Sequence, residues 1–460
     1  MIIKTDILII GAGSAGFGAA YRALSEGKAL VVLADKNNQL GGTSTVGGVN
    51  TWEPGIGGDG VHYQLAERLM KSGDAFVGRT VSYAWAKQPY AVSDRCDDSY
   101  ETTLHRYNVS PDDQRRFHFE PDAMSREMLA LLREADNDGP IISRHTDDEP
   151  IGGTAAYNGK RLTLLLGCNF KSVETRGDRI TAVSFDSADG EITVFPKTVI
   201  DSSADIVCAR AAGCAYMTGE DSRDDFGEES APINPVKRLN GLTQCFRIAE
   251  GKADTAIAPI GIPAEYSDVD LSGWKQQLET RGVVSCFNVY PRGGISVNML
   301  PTIDGVELLN HPIDELKHIC EARVYMYWQW LTSRYGYSDW HIEKIFPMLG
   351  IRESYRLRGR YVLTHNDLIR GYAKSLGHSH MAARADHPTD IHGDAGGLRQ
   401  TGVYEIPYDC MLPKEFSNLL VACRGASFSH LAASSARLSR TMLALGEAAG
   451  RMSTEICQNL

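Results

Sequence analysis

The chain has 460 residues, 43% hydrophobic and 23% charged, the balance of a globular protein long enough for two or three domains around a large core. Its 47 Lys and Arg stand against 58 Asp and Glu, and the net charge of −11 disfavours a nucleic-acid partner and gives no attraction to an anionic membrane. No apolar run approaches the ~20 residues that span a bilayer, and the ten scattered Cys contain no C-x-x-C pair, so neither a zinc knuckle nor a redox pair of that type is expected.

Met1-Ile-Ile-Lys4 leads straight into an apolar run without the pattern of a secretory leader, which makes a cytoplasmic, reduced location the expectation. Ile7 to Ile10 reads as a strand buried on both faces. Gly11, Gly13 and Gly16 then fit the G-x-G-x-x-G spacing of a dinucleotide-binding turn: one glycine for the turn, one for close approach of a pyrophosphate, one for helix packing. A helix from Ser14 to Glu26, carrying Ala15 in its first turn, points its N–H groups at the phosphates. Ala29 to Ala34 reads as a second buried strand ending at Asp35, about 20 residues past the last glycine, where a carboxylate binds the ribose hydroxyls of an adenosine. Lys36 and the Gly-rich stretch Gly41, Gly42 and Thr43 follow, a backbone suited to wrapping a ligand.

Residues 51–117 carry no motif and read as an insertion over the core fold, with a helix from His62 to Lys71. A helix begins at Pro121. Strands are expected at Leu162 to Leu166, Lys171 to Glu174, Arg179 to Phe185, Ile192 to Phe195 and Thr198 to Asp201, followed by a helix from Ile206 to Ala212. Asp221 to Arg238 is acidic and turn-rich, a loop or boundary. Leu242 to Ile248, Val283 to Tyr290 and Ile295 to Asn298 form a second sheet, and Pro312 to Tyr335 is a long amphipathic helix. Near the C-terminus come strands at Tyr404 to Tyr408 and from Asn418. A helix from Leu438 to Ile456 carries a small-residue face, expected to approach a strand or a cofactor.

Ile200, Asp201, Ser203 and Asp205 resemble the I-D-A-T-G-D segment of the FAD-dependent oxidoreductases, single-FAD-domain members of the glutathione-reductase-like superfamily, with Ser202 for alanine and Ala204 for glycine. Asn418-Leu-Leu-Val-Ala-Cys-Arg424 and Ser427 resemble the family's N-L-L-V-A-G-R-x-x-S segment, with Cys423 where glycine is usual; His430, Ala433 and Arg437 also fall on the pattern. Gly350 to Ser354 is similar to a G-x-R-E-S core, and Asp390-Ile-His392 to a D-I-H motif. The resemblance implies an α/β fold: a discontinuous Rossmann-type FAD-binding domain (1–50, 140–225, 400–460) with a mixed β-sheet/helical substrate domain (51–139, 226–399). It implies FAD as cofactor, bound also by Ser203, Ala204, Asp205, Arg424, Ser427 and Ala433, and a helix start near Ala432 to Ser435 placed at the flavin pyrimidine.

The expected chemistry is hydride transfer between a small-molecule substrate and flavin N5. His392, oriented by Asp390, and His430 are the acid/base candidates, and Arg352 the residue that positions charge. Arg352 with its neighbour Glu353 reads equally as a substrate-carboxylate anchor or as a buried ion pair. The spacing of His378, His380, His387 and His392 among Asp386, Asp390 and Asp394 matches no metal motif, so no metal is expected, and the histidines other than His392 read as surface or loop. No second G-x-G-x-x-G follows a strand, which argues against a separate NADPH domain and leaves the electron acceptor open. The alternatives are a hydratase or isomerase that uses FAD without net redox change, a non-catalytic flavin sensor, or an NAD-dependent dehydrogenase using the first motif alone.

Overall fold

The computed structural model describes every residue except 28, 81–92, 105–114, 138–154, 252–260, 281, 283, 372–379, 391–397, 400, 401, 459 and 460, and describes only the backbone at 79, 80, 93, 94, 155, 156, 284, 285, 300, 390, 398 and 399. Five parallel strands run in the order Leu162–Leu165, Val31–Ala34, Ile2–Ile10, Gly190–Asp201 and Leu419–Val421. Ile7 to Ile10, Val31 to Ala34, Val199 to Asp201 and Leu419 to Val421 are buried, as expected of strands covered on both faces. In register Ile10 faces both Ala34 and Asp201, Ala34 faces Leu165, and Asp201 faces Val421. The residues that follow, Gly11, Asp35, Leu166, Ser202 and Ala422, therefore share the carboxyl edge of the sheet, where ligands bind in open α/β folds.

Where two strands were expected at Ile192 to Phe195 and Thr198 to Asp201, a single strand Gly190–Asp201 runs through both. Its first part pairs antiparallel with Arg179–Ser187 and its last part parallel with Leu419–Val421. Pro196, which has no N–H to donate, sits where one partner has ended and the other has not begun.

The small-residue face of the C-terminal helix, Ser439–Gln458, meets the opening helix, Ser14–Glu26, rather than a strand or a cofactor. A Cβ on Gly446 would lie 1.9 Å from Ala15 O, and one on Gly450 2.3 Å from Ala19 O. The helices thus pack backbone against backbone, a contact that any larger side chain would break.

The described residues from Thr51 to Phe119 do not lie over the core but contribute to it. Thr51–Trp52, Ala75–Thr80, Ser93–Arg95 and Arg115–Phe119 form an antiparallel sheet beside the helices Gly60–Ser72 and Pro121–Asn137. Trp52, Val61, Leu65, Phe117, Phe119 and Met128 share one hydrophobic cluster with Ile7, Ile9, Phe17 and Leu33. The strands pack through aromatic contacts, such as Trp52 against Phe117 and Phe119, and the helices through apolar stripes, Val61, Leu65 and Leu69 on one and Met124, Met128, Leu131 and Leu132 on the other.

A second antiparallel sheet has the order Val284–Val289, Ile295–Leu300, Cys245–Glu250 and Trp340–Ile345; the last strand was not anticipated. Phe246, Ile248, Phe287, Val297 and Met299 point to one face and pack on the long helix Ile313–Arg334 through Val324, Tyr327, Trp328 and Leu331. By the period-two alternation of a strand, Cys245, Cys286, Asn288, Ser296 and Asn298 point to the other face, and all five line a cavity. Among the described residues no helix is long and apolar enough to cross a membrane.

Candidate active site

The groove at the carboxyl edge of the parallel sheet is shaped for an extended ligand. Gly13 has no atom within 4 Å of where a Cβ would be, whereas a Cβ on Gly16 would lie 1.7 Å from Gly11 O and one on Gly11 2.4 Å from Ser202 O. Gly11 and Gly16 are thus fixed by packing, and Gly13 faces open space. Asp35 ends the second strand with Oδ2 accepting from the Ala12 N–H at 2.5 Å and Oδ1 from Asn37. Burial pushes its carboxyl up. Lys36 is exposed beside it. Gly41 N donates to Ala12 O at 2.8 Å, and a Cβ on Gly42 would be 3.1 Å from Gly13 Cα, so the second glycine-rich loop lies directly against the first turn.

Ala204 stands where the resembled segment has glycine, and it keeps a glycine-like backbone, with φ +68°. Ile206 is also left-handed, at +46°. Such conformations cost about 1 kcal/mol or more each. The loop is braced from three sides. Arg424 donates to Ala204 O at 3.0 Å and to Asp205 Oδ1 at 2.6 Å, and the Ser354 hydroxyl reaches the same Asp205 oxygen at 2.6 Å. Burial pushes the Asp205 carboxyl up, but Arg424 and Ser354 outweigh it and hold it below the usual range. Ser203, expected as a donor to the cofactor, gives its proton to Asp201 Oδ1 at 2.6 Å and accepts the Val207 N–H at 3.0 Å. Its hydroxyl is committed to holding the loop.

Beside this groove lies a cavity of about 240 Å³. Thr43 and Arg424 reach it from the groove side, and Cys245, Cys286, Asn288, Ser296 and Asn298 roof it from the second sheet. Asn298 Oδ1 is buried with no hydrogen-bond partner among the described residues. Arg437 to Arg440 line the wall at the start of the 20-residue C-terminal helix. The helix start expected near Ala432 to Ser435 is not at this wall. His430–Ala436 is a separate seven-residue helix whose first N–H groups are taken by Asp221 Oδ2 and the Ser429 hydroxyl. Ala433 is core, and the Ser427 hydroxyl, 0% exposed, accepts the Gly359 N–H at 3.0 Å; neither lines the cavity.

Arg352 lines the cavity, with Nη1 donating to Gly241 O at 2.9 Å and Thr243 Oγ1 at 2.6 Å. Glu353 turns the other way. It accepts from Arg356, itself 1% exposed, and from His430 Nδ1 at 2.9 Å. Arg356 also meets Asp221 at 3.0 Å, while His430 Nε2 lies 3.3 Å from Glu220, which Arg238 holds at 2.6 Å. Burial alone would lower the His430 pKa, but Glu353 and Glu220 raise it to about 9, so the ring is a cation at neutral pH, with Nδ1 on Glu353 and Nε2 facing Glu220. Neither His430 nor Glu353, expected in acid/base and substrate roles, lines the cavity. The run Asp221 to Arg238, read as a loop or boundary, together with Glu220 just before it supplies half of this buried cluster.

His392 lies outside the described residues, and Asp390 is described only as backbone in the short strand Thr389–Asp390. The histidine that does line the cavity is His387, read from sequence as surface or loop and here 6% exposed. Its Nδ1 is 3.3 Å from Glu53 Oε2. Burial pushes the Glu53 carboxyl up, yet Arg116, His387 and Arg440 hold it far below the carboxylate range. The pair is clamped from the C-terminal helices. Arg440 donates to Glu53 O and Ile56 O, both at 3.0 Å, and to Asp386 Oδ1 at 2.5 Å, while the Ser435 hydroxyl donates to His387 O at 2.5 Å. The one local signal for His387 was its place in the histidine-rich stretch; nothing in the spacing pointed to Glu53.

The open approach at Gly13 and the loop laid against it fit a dinucleotide lying along the groove, beside the cavity. No curated protein matches the chain. Among solved structures, a geranylgeranyl bacteriochlorophyll reductase-like protein from Thermoplasma acidophilum is similar at a TM-score of 0.46 and 11% identity, over 100% of this chain and 80% of that one. L-proline dehydrogenase from P. horikoshii is similar at 0.39 and 12%, over 100% and 94%. The myxobacterial chondrochloren halogenase is similar at 0.41 and 14%, over 78% and 66%. The family described as FAD dependent oxidoreductase matches residues 6–457, nearly the whole chain. The chain belongs to that family, and it is an FAD-dependent oxidoreductase.

Proposed function

We propose that the protein exchanges a hydride between a small-molecule substrate and FAD, with His387 as the acid/base group and Glu53 orienting it. What supports this reading is one observation: a histidine–carboxylate pair set in the wall of the cavity that also receives Arg424 from the cofactor groove. Bound FAD supplies a two-electron carrier whose N5 is the hydride partner.

With FAD bound, the Gly11–Gly16 turn and the opening helix would hold the pyrophosphate, and Asp35 the adenosine ribose. Arg424 and the start of the helix at Ser439 would supply positive charge to a reduced flavin. With Nδ1 of His387 turned to Glu53, Nε2 is the nitrogen that exchanges the substrate proton. The roof of neutral polar side chains excludes bulk water while offering hydrogen bonds. Thr43 and Arg424, from the FAD part proposed at 1–50, 140–225 and 400–460, meet Glu53, Arg352 and His387, from the substrate part proposed at 51–139 and 226–399.

The test is anaerobic single turnover of purified holoenzyme. A substrate bleaches the flavin in the wild type, and His387→Gln retains FAD but slows bleaching by about 100-fold or more. Conversion of a substrate with no change in the flavin spectrum would point instead to a hydratase or isomerase, and bleaching by His387→Gln at the wild-type rate would remove His387 from the reaction.

A further inference from the structure

We infer that Asp386, through Arg440, is the residue that positions Glu53 against His387. This rests on the reading of that pair as the acid/base device. The partners come from distant parts of the chain, and their side chains meet at 3.3 Å. Their meeting depends on the backbone that carries each of them, and one buried ion pair grips both backbones.

Arg440, 1% exposed, is the second residue of the C-terminal helix. Its Nε donates to Ile56 O and its Nη1 to Glu53 O, both at 3.0 Å, while Nη2 donates to Asp386 Oδ1 at 2.5 Å. Asp386 Oδ2 accepts the Ile56 N–H at 3.1 Å. The ion pair therefore holds both polar groups of the Ile56 backbone and the carbonyl of Glu53 itself. Gly55 marks how closely the segment is wrapped: a Cβ there would lie 2.8 Å from both Arg440 Nη2 and Asp386 Oδ1, on a backbone at φ +149°. On the other side of the pair, Asp386 precedes His387 in the chain. His387 O accepts from the Ser435 hydroxyl at 2.5 Å, and Ser435 is in turn 2.6 Å from the Tyr404 hydroxyl. A planar guanidinium suits the task, because its donors are fixed in direction relative to one another.

Asp386 is not among the residues that line the cavity, so it acts through its neighbours. Its two oxygens each accept a different donor, and asparagine cannot reproduce that. Whichever way its amide is turned, an NH2 group faces either the guanidinium or the Ile56 N–H. Asp386→Asn thus breaks one tie with almost no change of shape, and the Glu53 segment is freed from its place beside His387. An imidazole whose Nδ1–H has lost its carboxylate is less basic at Nε2 and less fixed in tautomer.

Diethyl pyrocarbonate, which acylates an unprotonated imidazole nitrogen, is the probe. Its rate of modification at His387 is followed in holoenzyme at neutral pH, with the site located by peptide mass spectrometry and FAD content read from visible absorbance. Asp386→Asn slows the reaction about tenfold or more with FAD retained. Gly55→Ala, which disturbs the same segment by one methyl group, slows it likewise and serves if Asp386→Asn does not fold. In a Glu53→Gln background, Asp386→Asn has no further effect, because both changes remove the same contact. Loosening of the wall alone would open His387 to the reagent and speed the reaction in both backgrounds. An unchanged or faster rate in Asp386→Asn, or an equal further slowing on top of Glu53→Gln, overturns the positioning role and leaves the His387–Glu53 pair standing. A rate indifferent to Glu53→Gln sinks the pair as an acid/base device, and the inference with it.

Discussion

Replacing His430 by glutamine removes the one cation that touches both Glu353 and Glu220. The cluster holds three carboxylates, Glu220, Asp221 and Glu353, against Arg238, Arg356 and His430. Burial pushes the nearby Glu228 up, toward its neutral form, so the charges balance only while the imidazole is protonated. Its pKa rises from about 6.5 when unfolded to about 9 when folded. The folded state thus binds a proton that the unfolded state has released across that interval. Stability from this group is complete below pH ~6.5 and falls by about 1.4 kcal/mol per pH unit up to pH ~9, about 3 kcal/mol in all. That agrees with the ~3–5 kcal/mol lost when one partner of a buried pair is removed. On the acid side, Glu353 and Glu220 are each held near 2 against burial by their cationic neighbours, so their contribution is present above pH ~4.5 and is lost as pH falls toward 2. Urea unfolding of holoenzyme, followed by far-UV circular dichroism from pH 5 to 9.5, measures the effect. His430→Gln loses about 3 kcal/mol at pH 6 and has a flatter profile between pH 6.5 and 9. A variant with the wild-type midpoint and slope would refute the charge balance.

Gly13→Ala leaves the apoprotein's stability within about 0.5 kcal/mol of wild type because its Cβ meets nothing, but the purified protein carries little FAD, read from its visible absorbance. Gly16→Ala drives a Cβ into Gly11 O at 1.7 Å and unfolds or aggregates the apoprotein, so the two variants fail in different ways. Gly446→Val separates the opening and C-terminal helices and costs about 3 kcal/mol; thermal melts with and without added FAD check this, and a wild-type melting temperature would contradict the packing. Ala204→Gly relieves left-handed strain of about 1 kcal/mol, partly offset by greater freedom in the unfolded chain, so its melting temperature is unchanged or slightly raised, and a clear fall would show that the strain is illusory.

The nucleotide half was legible because its signals are local. Buried strand, glycine turn, helix and acid lie within Ile7 to Asp35, and steric need at Gly11 and Gly16 is written in their spacing. The substrate half was not. The D-I-H resemblance singles out His392 and passes over His387, and only the fold brings Glu53, from a motif-free stretch, against His387. Glu220 and Asp221 sit at the start of a run whose composition is that of a loop, and their burial depends on Arg238 at its far end and on Arg356 and His430 arriving from two other segments. Trp52 and Phe117 enter the main core through ring contacts with no helical or strand period to announce them. Asn298 stands in the sequence only as the end of an expected strand; its place over the cavity comes from the strand alternation that sets it between Cys245 and Cys286 in one row.

Arg352 and Glu353 show why a pairwise reading of adjacent charges falls short. Taken alone they offered two uses, an anchor for substrate or an ion pair with each other, and the structure divides the uses between them. Glu353 completes an ion pair, but with Arg356 and His430; Arg352 faces the cavity. Ser354 then ties the same segment to Asp205 and Arg424 at the cofactor groove. Three consecutive residues thus reach a buried charge cluster, a cavity and a nucleotide loop. The cluster is rigid because every charge in it is matched, and the nucleotide loop is strained at Ala204 and braced by Arg424. The backbone between them has little freedom, so the direction of Arg352 follows from both. Buried ion pairs are poor sources of net stability. Their use in this protein is to fix where one guanidinium points.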